Sequence, residues 1–255
     1  LFLVDSGNLS AQIKSALLEQ ASVSQTRIEY SVKPPIEHRK WVIDGQLDAD
    51  LSSMIDILSQ SPLTKNLGPM VNWSYAGATK TQLHMKLPAY NANKPKPVAP
   101  EYKVTSVIND GDMTITGSPI KLTKLAGEIE FTSNKGIISD SLSAKLWDQP
   151  FIARLYRDDQ QRMSFSSAIA PNSLGQFADF PWENIISETI PVTGALYKDP
   201  ANRSKTTLEI QSDMQAVAIN LPAPVGKTIS QSKPLNIKLH FEPTISQLEG
   251  QLGQY

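Results

Sequence analysis

The sequence predicts a mainly β fold built from short antiparallel strands, each with one apolar face. Three observations carry this: apolar residues recur with a period of two in many short segments, turn signals separate those segments, and helix-period segments are few.

In chain order, QLHMKL places Leu83, Met85 and Leu87 on one face. GDMTITG does the same with Met113 and Ile115, and PIKLTK with Ile120 and Leu122. LAGEIEF continues with Leu125, Gly127, Ile129 and Phe131, and SLSAKL with Leu142, Ala144 and Leu146. TTLEI contributes Leu208 and Ile210, and LNIKLHF contributes Leu235, Ile237, Leu239 and Phe241. Strict alternation marks half-buried strands with one wet face, the antiparallel habit. Turns are expected at Asn109-Asp110-Gly111, Gly117-Ser118-Pro119 and Ser133-Asn134-Lys135-Gly136.

Helical spacing is confined to two places. LSSMIDILSQ sets Leu51, Met54, Ile55 and Leu58 on one helical face and ends at Ser61-Pro62. A second helical segment is expected between Asn172 and Ser187, with Asn172 or Ser173 as cap and Pro181 at the first turn of its later part. Two or three short helices cannot cover so many one-faced strands, so something else must cover the apolar face.

Residues 1–255 read as one continuous segment of a longer protein, since the chain opens on Leu1 and LFLV runs straight into a polar pattern. The stretch 91–101 (NANKPKPVAPE) reads as a Pro-rich loop within it, because the same strand grammar resumes on both sides. A formal charge of -1, from 24 basic and 25 acidic residues, leaves no electrostatic footprint for nucleic acid. The absence of cysteine excludes disulfides and thiolate metal sites.

Residue constellations for catalysis are missing. The histidines, His38, His84 and His240, have no second histidine at ligand spacing and read as solvent-facing or edge-strand side chains. Asp110/Asp112 and Asp158/Asp159 read as turn residues rather than a cation site. Neither a Gly-x-Ser-x-Gly elbow nor a phosphate-binding glycine loop occurs. The expectation is a non-enzyme with no catalytic residue, no metal and no cofactor. Trp41, Trp73, Trp147 and Trp182 are scattered, one to a region, and lone tryptophans in β proteins are usually packing residues.

The most distinctive string is SDMQAVAINLPAPVGK, Ser212 to Lys227, followed by KPLNIKLHF. It resembles the LPAPxGK-containing signature of the YhdP-type branch of the AsmA-like family. The SPL at Ser61 to Leu63, the GDMTITGSPIKLTKLAGEIEF unit and NKGIISDSLSAKLWDQP are similar to further family segments in the same order. The likeness runs from about Gly7 to Phe241 and is most specific over Leu221 to Lys227. Ala216 and Asp148 stand where the family pattern has glycine.

The resemblance implies an elongated, curled, groove-like antiparallel sheet with a greasy concave side. It further implies a periplasmic, inner-membrane-anchored parent in a Gram-negative bacterium that moves phospholipid between inner and outer membranes. Acyl chains suit such a face, because each buried CH₂ is worth ~0.8 kcal/mol without directional contacts. On this reading the groove is lined by Met113, Ile115, Ile120, Leu122, Ile129, Phe131, Leu208, Ile210, Leu235, Ile237 and Leu239. The prolines of LPAPVGK suit a sheet edge or rim, in preference to headgroup recognition by Lys227. The alternative is a β-sandwich carbohydrate- or protein-binding module of a secreted or envelope protein, using Trp147 or Trp182.

Overall fold

A computed structural model describes residues 2–5, 7–18, 21–32, 34–35, 39–60, 68–89, 99–198, 206–241 and 246–253. The strands are β1 (Phe2–Asp5), β2 (Asn8–Leu18), β3 (Ala21–Ser31), β4 (Lys40–Asp50), β5 (Ser74–Ala76), β6 (Ala78–Pro88), β7 (Glu101–Thr114) and β8 (Lys121–Thr132). They continue with β9 (Gly136–Leu146), β10 (Gln149–Arg157), β11 (Gln161–Ile169), β12 (Ile190–Lys198), β13 (Thr206–Ser212), β14 (Leu235–Phe241) and β15 (Ser246–Leu252). Each strand pairs with its successor in sequence, except that β4 pairs with β6 while β5 pairs with β7. The result is one open, antiparallel, mainly β sheet with few helices, the predicted class. A sandwich needs two sheets, and the described strands form one.

Two helical segments fall where helical spacing was read, and a short 3-10 helix (Gly68–Asn72) falls where none was. α1 (Leu51–Ser59) starts at Asp50, whose carboxylate accepts hydrogen bonds from the Ser52 N–H at 2.9 Å and the Gly77 N–H at 3.1 Å. The second segment is a 3-10 turn (Pro171–Gln176) followed by one helical turn (Trp182–Ile185). Asn172 and Ser173 do not cap it: Pro171 opens the turn and Ala170 holds the cap position. Ser61 to Leu63, His38 and residues 91–98 of the Pro-rich stretch lie outside the described residues.

One expected turn is a bulge instead. Asn109-Asp110-Gly111 lies inside β7, where Asp110 takes φ 57. The extra residue shifts the alternation from even positions (Ile108 buried) to odd ones (Gly111 buried, Met113 half-buried). Asp110 and Asp112 are therefore strand residues, whereas Asp158 and Asp159 do lie in a turn. PIKLTK and LAGEIEF fuse into the single strand β8 by the same device: Lys124 takes φ 53, between buried Leu122 and buried Leu125.

The chain packs as two compact units: residues 1–71, 75–111 and 126–139, and residues 72–74, 112–125 and 140–255. In the first unit the register aligns Ala11, Ile28, Ile43, Met85 and Tyr102 across β2, β3, β4, β6 and β7. Directly opposed residues share a face, so this row is apolar throughout. Tyr102 also stacks on Phe131, with ring centroids 5.3 Å apart. α1 covers the end of this face where Thr79 and Thr81 are buried, with the Met54 sulfur 3.9 Å from the Thr81 hydroxyl.

Candidate functional site

The second unit carries an apolar face that runs across six strands among the described residues. Register places Leu155, Met163, Leu196, Leu208, Leu239 and Leu248 in one row across β10 to β15. Beside it runs Ala153, Phe165, Gly194, Ile210, Ile237 and Gly250. Gly194 leaves room for the Phe165 ring, which lies where a Cβ on residue 194 would be and stacks on Phe151 at 5.4 Å. The intervening positions make the opposite face polar, with Arg154, Arg162, Thr207, Glu209, Lys238 and Glu249. Two faces of such different polarity follow from the alternation alone, because successive side chains point to opposite sides.

One end of this apolar face is capped. Val192 and Ile190 pack with Ile186, Met214, Val217 and Ile219, and Trp182, Leu235 and Leu252 join the cluster. The loop after β13 is held in place from within by Lys227. Its ammonium is buried and donates to the carbonyls of Met214, at 2.7 Å, and Val217. Burial pushes the Lys227 amine below its ordinary value; Asp213 opposes that shift and Lys233 adds to it. Gly226 has its backbone against the Leu221 carbonyl, where a Cβ would collide. The LPAPVGK segment is a loop outside the strands: Leu221 to Val225 are exposed, and its Lys227 end is bridged to the helical turn through Ile219 and Ile186. Lys227 is spent on structure.

The two departures from the family pattern both fall at positive φ. Ala216 has φ 59 in the cap loop, and Asp148 has φ 62 beside Trp147 at φ 48 in the two-residue turn between β9 and β10. Such a turn requires left-handed residues at both positions, which is why glycine suits it.

The eleven residues expected to line a groove divide between the units. Ile129 and Phe131 belong to the first; Met113, Ile115, Ile120, Leu122, Leu208, Ile210, Leu235, Ile237 and Leu239 belong to the second. The register brings Leu208 opposite Leu239, and Ile210 opposite Ile237. Ile115 and Ile120 meet at the turn between β7 and β8, through the Ile115 N–H and the Ile120 carbonyl at 3.1 Å. Sequence reasoning missed Phe151, Leu155, Met163, Phe165 and Leu196, although FIARLYR alternates as strictly as the segments that were read.

The remaining polar candidates are structural. His84 lies 2.6 Å from the Asp44 carboxylate on the polar face, half-exposed. His240 is buried on β14, not solvent-facing: its Nδ1 is 3.0 Å from the Thr207 hydroxyl and its Nε2 is 3.6 Å from Glu249. Trp147 packs edge-on to Phe177 and donates its N–H to the Pro119 carbonyl. Trp182 packs on Phe180 and donates to the Ala178 carbonyl. Among the described residues no cluster of three His, Asp or Glu could hold a metal ion, and no helix is long and apolar enough to cross a membrane.

A family model described as YhdP protein matches residues 2–255. The chain belongs to the YhdP protein family. This agrees with the resemblance carried by Leu221 to Lys227, and places the chain in a family of bridge-like lipid-transport proteins of the bacterial envelope. The YhdP family is a transport family rather than one known for catalysis. No curated protein and no solved structure gives a significant match.

Proposed function

We propose that residues 1–255 form one continuous groove segment of a periplasmic YhdP-family bridge, which holds phospholipid by its acyl chains and passes it between inner and outer membranes. The observation that carries this reading is the row Leu155, Met163, Leu196, Leu208, Leu239 and Leu248, an unbroken apolar line across adjacent strands with a polar face behind it. A chain of CH₂ groups gains ~0.8 kcal/mol per group from such a surface and meets no directional partner that would fix it in place. Lipid can therefore be held by many weak contacts and still slide. The eleven groove residues named from the sequence serve this role in the proposal, joined by Leu155, Met163, Phe165 and Leu196.

The test is lipid content. Protein purified from the envelope is extracted and its lipids are measured by mass spectrometry, alongside Leu239→Asp on the apolar face and Gln247→Asp at an exposed position of the polar face. Leu239→Asp is expected to lose most bound phospholipid and to weaken the outer-membrane barrier, with Gln247→Asp unchanged. A correctly folded wild type that neither carries nor takes up phospholipid refutes the proposal.

A further inference from the structure

Across β10 to β15 the apolar face carries two charged side chains among the described residues, Arg157 and Lys198, and both are cationic. Both stand at the same end of the strands. Arg157 lies two residues beyond Leu155 and opposite Gln161; Lys198 lies two residues beyond Leu196 and opposite Thr206. The other end is the one closed by Met214, Val217 and Ile219. The face thus grades along the strand direction from a dry cap, through rows of apolar side chains, to a basic rim.

Among the described residues, the acids in the turn after Arg157 do not neutralise that rim. Asp158 and Asp159, in the turn after Arg157, lie 2.9 and 3.9 Å from Arg162, which belongs to the polar face. Among the described residues neither Arg157 nor Lys198 is in an ion pair. The length of the apolar part also fits one class of ligand. From Leu196 to Val192 is four residues, ~13 Å of strand, close to the ~15 Å hydrocarbon depth of one bilayer leaflet.

We infer that lipid lies across this unit with its acyl chains parallel to the strands. The chain ends point toward the Met214–Ile219 cap, and a net-negative headgroup sits against Arg157 and Lys198. This rests on the lipid-groove reading above and adds a polarity and a headgroup preference to it. Acyl chains alone would not distinguish one headgroup from another; two cations at one rim do, by electrostatic complementarity.

The experiment offers delipidated protein an equimolar mixture of phosphatidylglycerol and phosphatidylethanolamine vesicles and quantifies the bound lipid. Wild type is expected to enrich phosphatidylglycerol about three- to tenfold, the range that two solvent-exposed ion pairs support. R157Q/K198Q is expected to bring the ratio near unity with total bound lipid unchanged. High salt should do the same to wild type. In a second arm, phosphatidylglycerol with a photoreactive group at its acyl terminus should label Val192, Leu235 or Leu252 at the capped end. A wild type without preference, a variant that keeps it, or acyl-terminus labelling at the Arg157 end overturns the inference while leaving the groove intact. Failure to bind either lipid overturns the inference and the groove reading together.

Discussion

Replacing Lys227 by methionine tests what the end of the LPAPVGK motif does. The side chain is nearly isosteric, so the cap keeps its packing against Val192 and Leu235 and loses only the ammonium. The buried Val217 carbonyl then loses its donor, and the Met214 carbonyl keeps only the Val217 N–H, at 3.4 Å. An orphaned buried acceptor costs ~1–3 kcal/mol. Some of that is offset because burial already disfavours the charged amine in the folded protein, as the downward displacement of its pKa records. The net expectation is a loss of roughly 1–2 kcal/mol in the local stability of the loop. Hydrogen exchange reads this directly. The Ile219 N–H donates to the Lys227 carbonyl and the Lys227 N–H to the Ile219 carbonyl, at 2.9 and 3.1 Å, so both amides open with the loop. Their exchange in Lys227→Met should accelerate roughly 5- to 30-fold, with amides of β2 to β4 unaffected. Acceleration of less than about twofold would refute the view that Lys227 holds the cap closed.

Further tests concern backbone strain and capping. Ala216→Gly should slow exchange in the same loop, because a left-handed alanine costs ~1–2 kcal/mol and glycine returns part of that through unfolded-state entropy; Ala218→Gly, at a position without positive φ, should speed it. Asp148→Gly should raise the unfolding midpoint by the same reasoning. Asp50 governs the start of α1. Partial burial raises its carboxyl pKa, but hydrogen bonds from the Ser52 N–H and hydroxyl and the Gly77 N–H outweigh that and hold it below the ordinary carboxylate value. A depressed folded pKa stabilises above the unfolded value, near pH 4, and that stability is lost as pH falls through the folded value. Asp50→Ala should therefore cost ~1 kcal/mol at neutral pH and progressively less in acid, while Asp50→Asn keeps the cap and flattens the pH dependence. Thermal unfolding at neutral and acidic pH separates the three.

Much of this was legible in the sequence because the period of two is a local property. The strands that carry Leu208, Ile210, Leu235, Ile237 and Leu239, and the α1 face of Leu51 and Met54, follow from spacing alone. Four features were not legible, each for a physical reason. Asn-Asp-Gly is the same chemistry whether the left-handed residue closes a turn or sits in a bulge, and only strand pairing decides between them. The rows that make the face continuous depend on register, which brings residues such as Leu155 and Leu248 into line from distant parts of the chain. The cap depends on Lys227 reaching back to Met214 and Val217, and a lysine bracketed by glycine and threonine reads as a surface residue until its partners are seen. Phe165 was overlooked because its strand is rich in serine and its partner across β12 is a glycine, which weakens the pattern at the place where the ring does the filling.

The central claim, that one face of this sheet holds acyl chains, is tested most directly along a single strand. A photoreactive amino acid is placed in turn at positions 207 to 211 of β13, and cross-linked phospholipid is measured after irradiation in cells. Leu208 and Ile210 lie on the apolar face, with Thr207, Glu209 and Gln211 behind it. The account predicts labelling with a period of two, strong at 208 and 210 and absent at 207, 209 and 211. Uniform labelling, labelling on the odd positions, or none at any position in folded protein would contradict it.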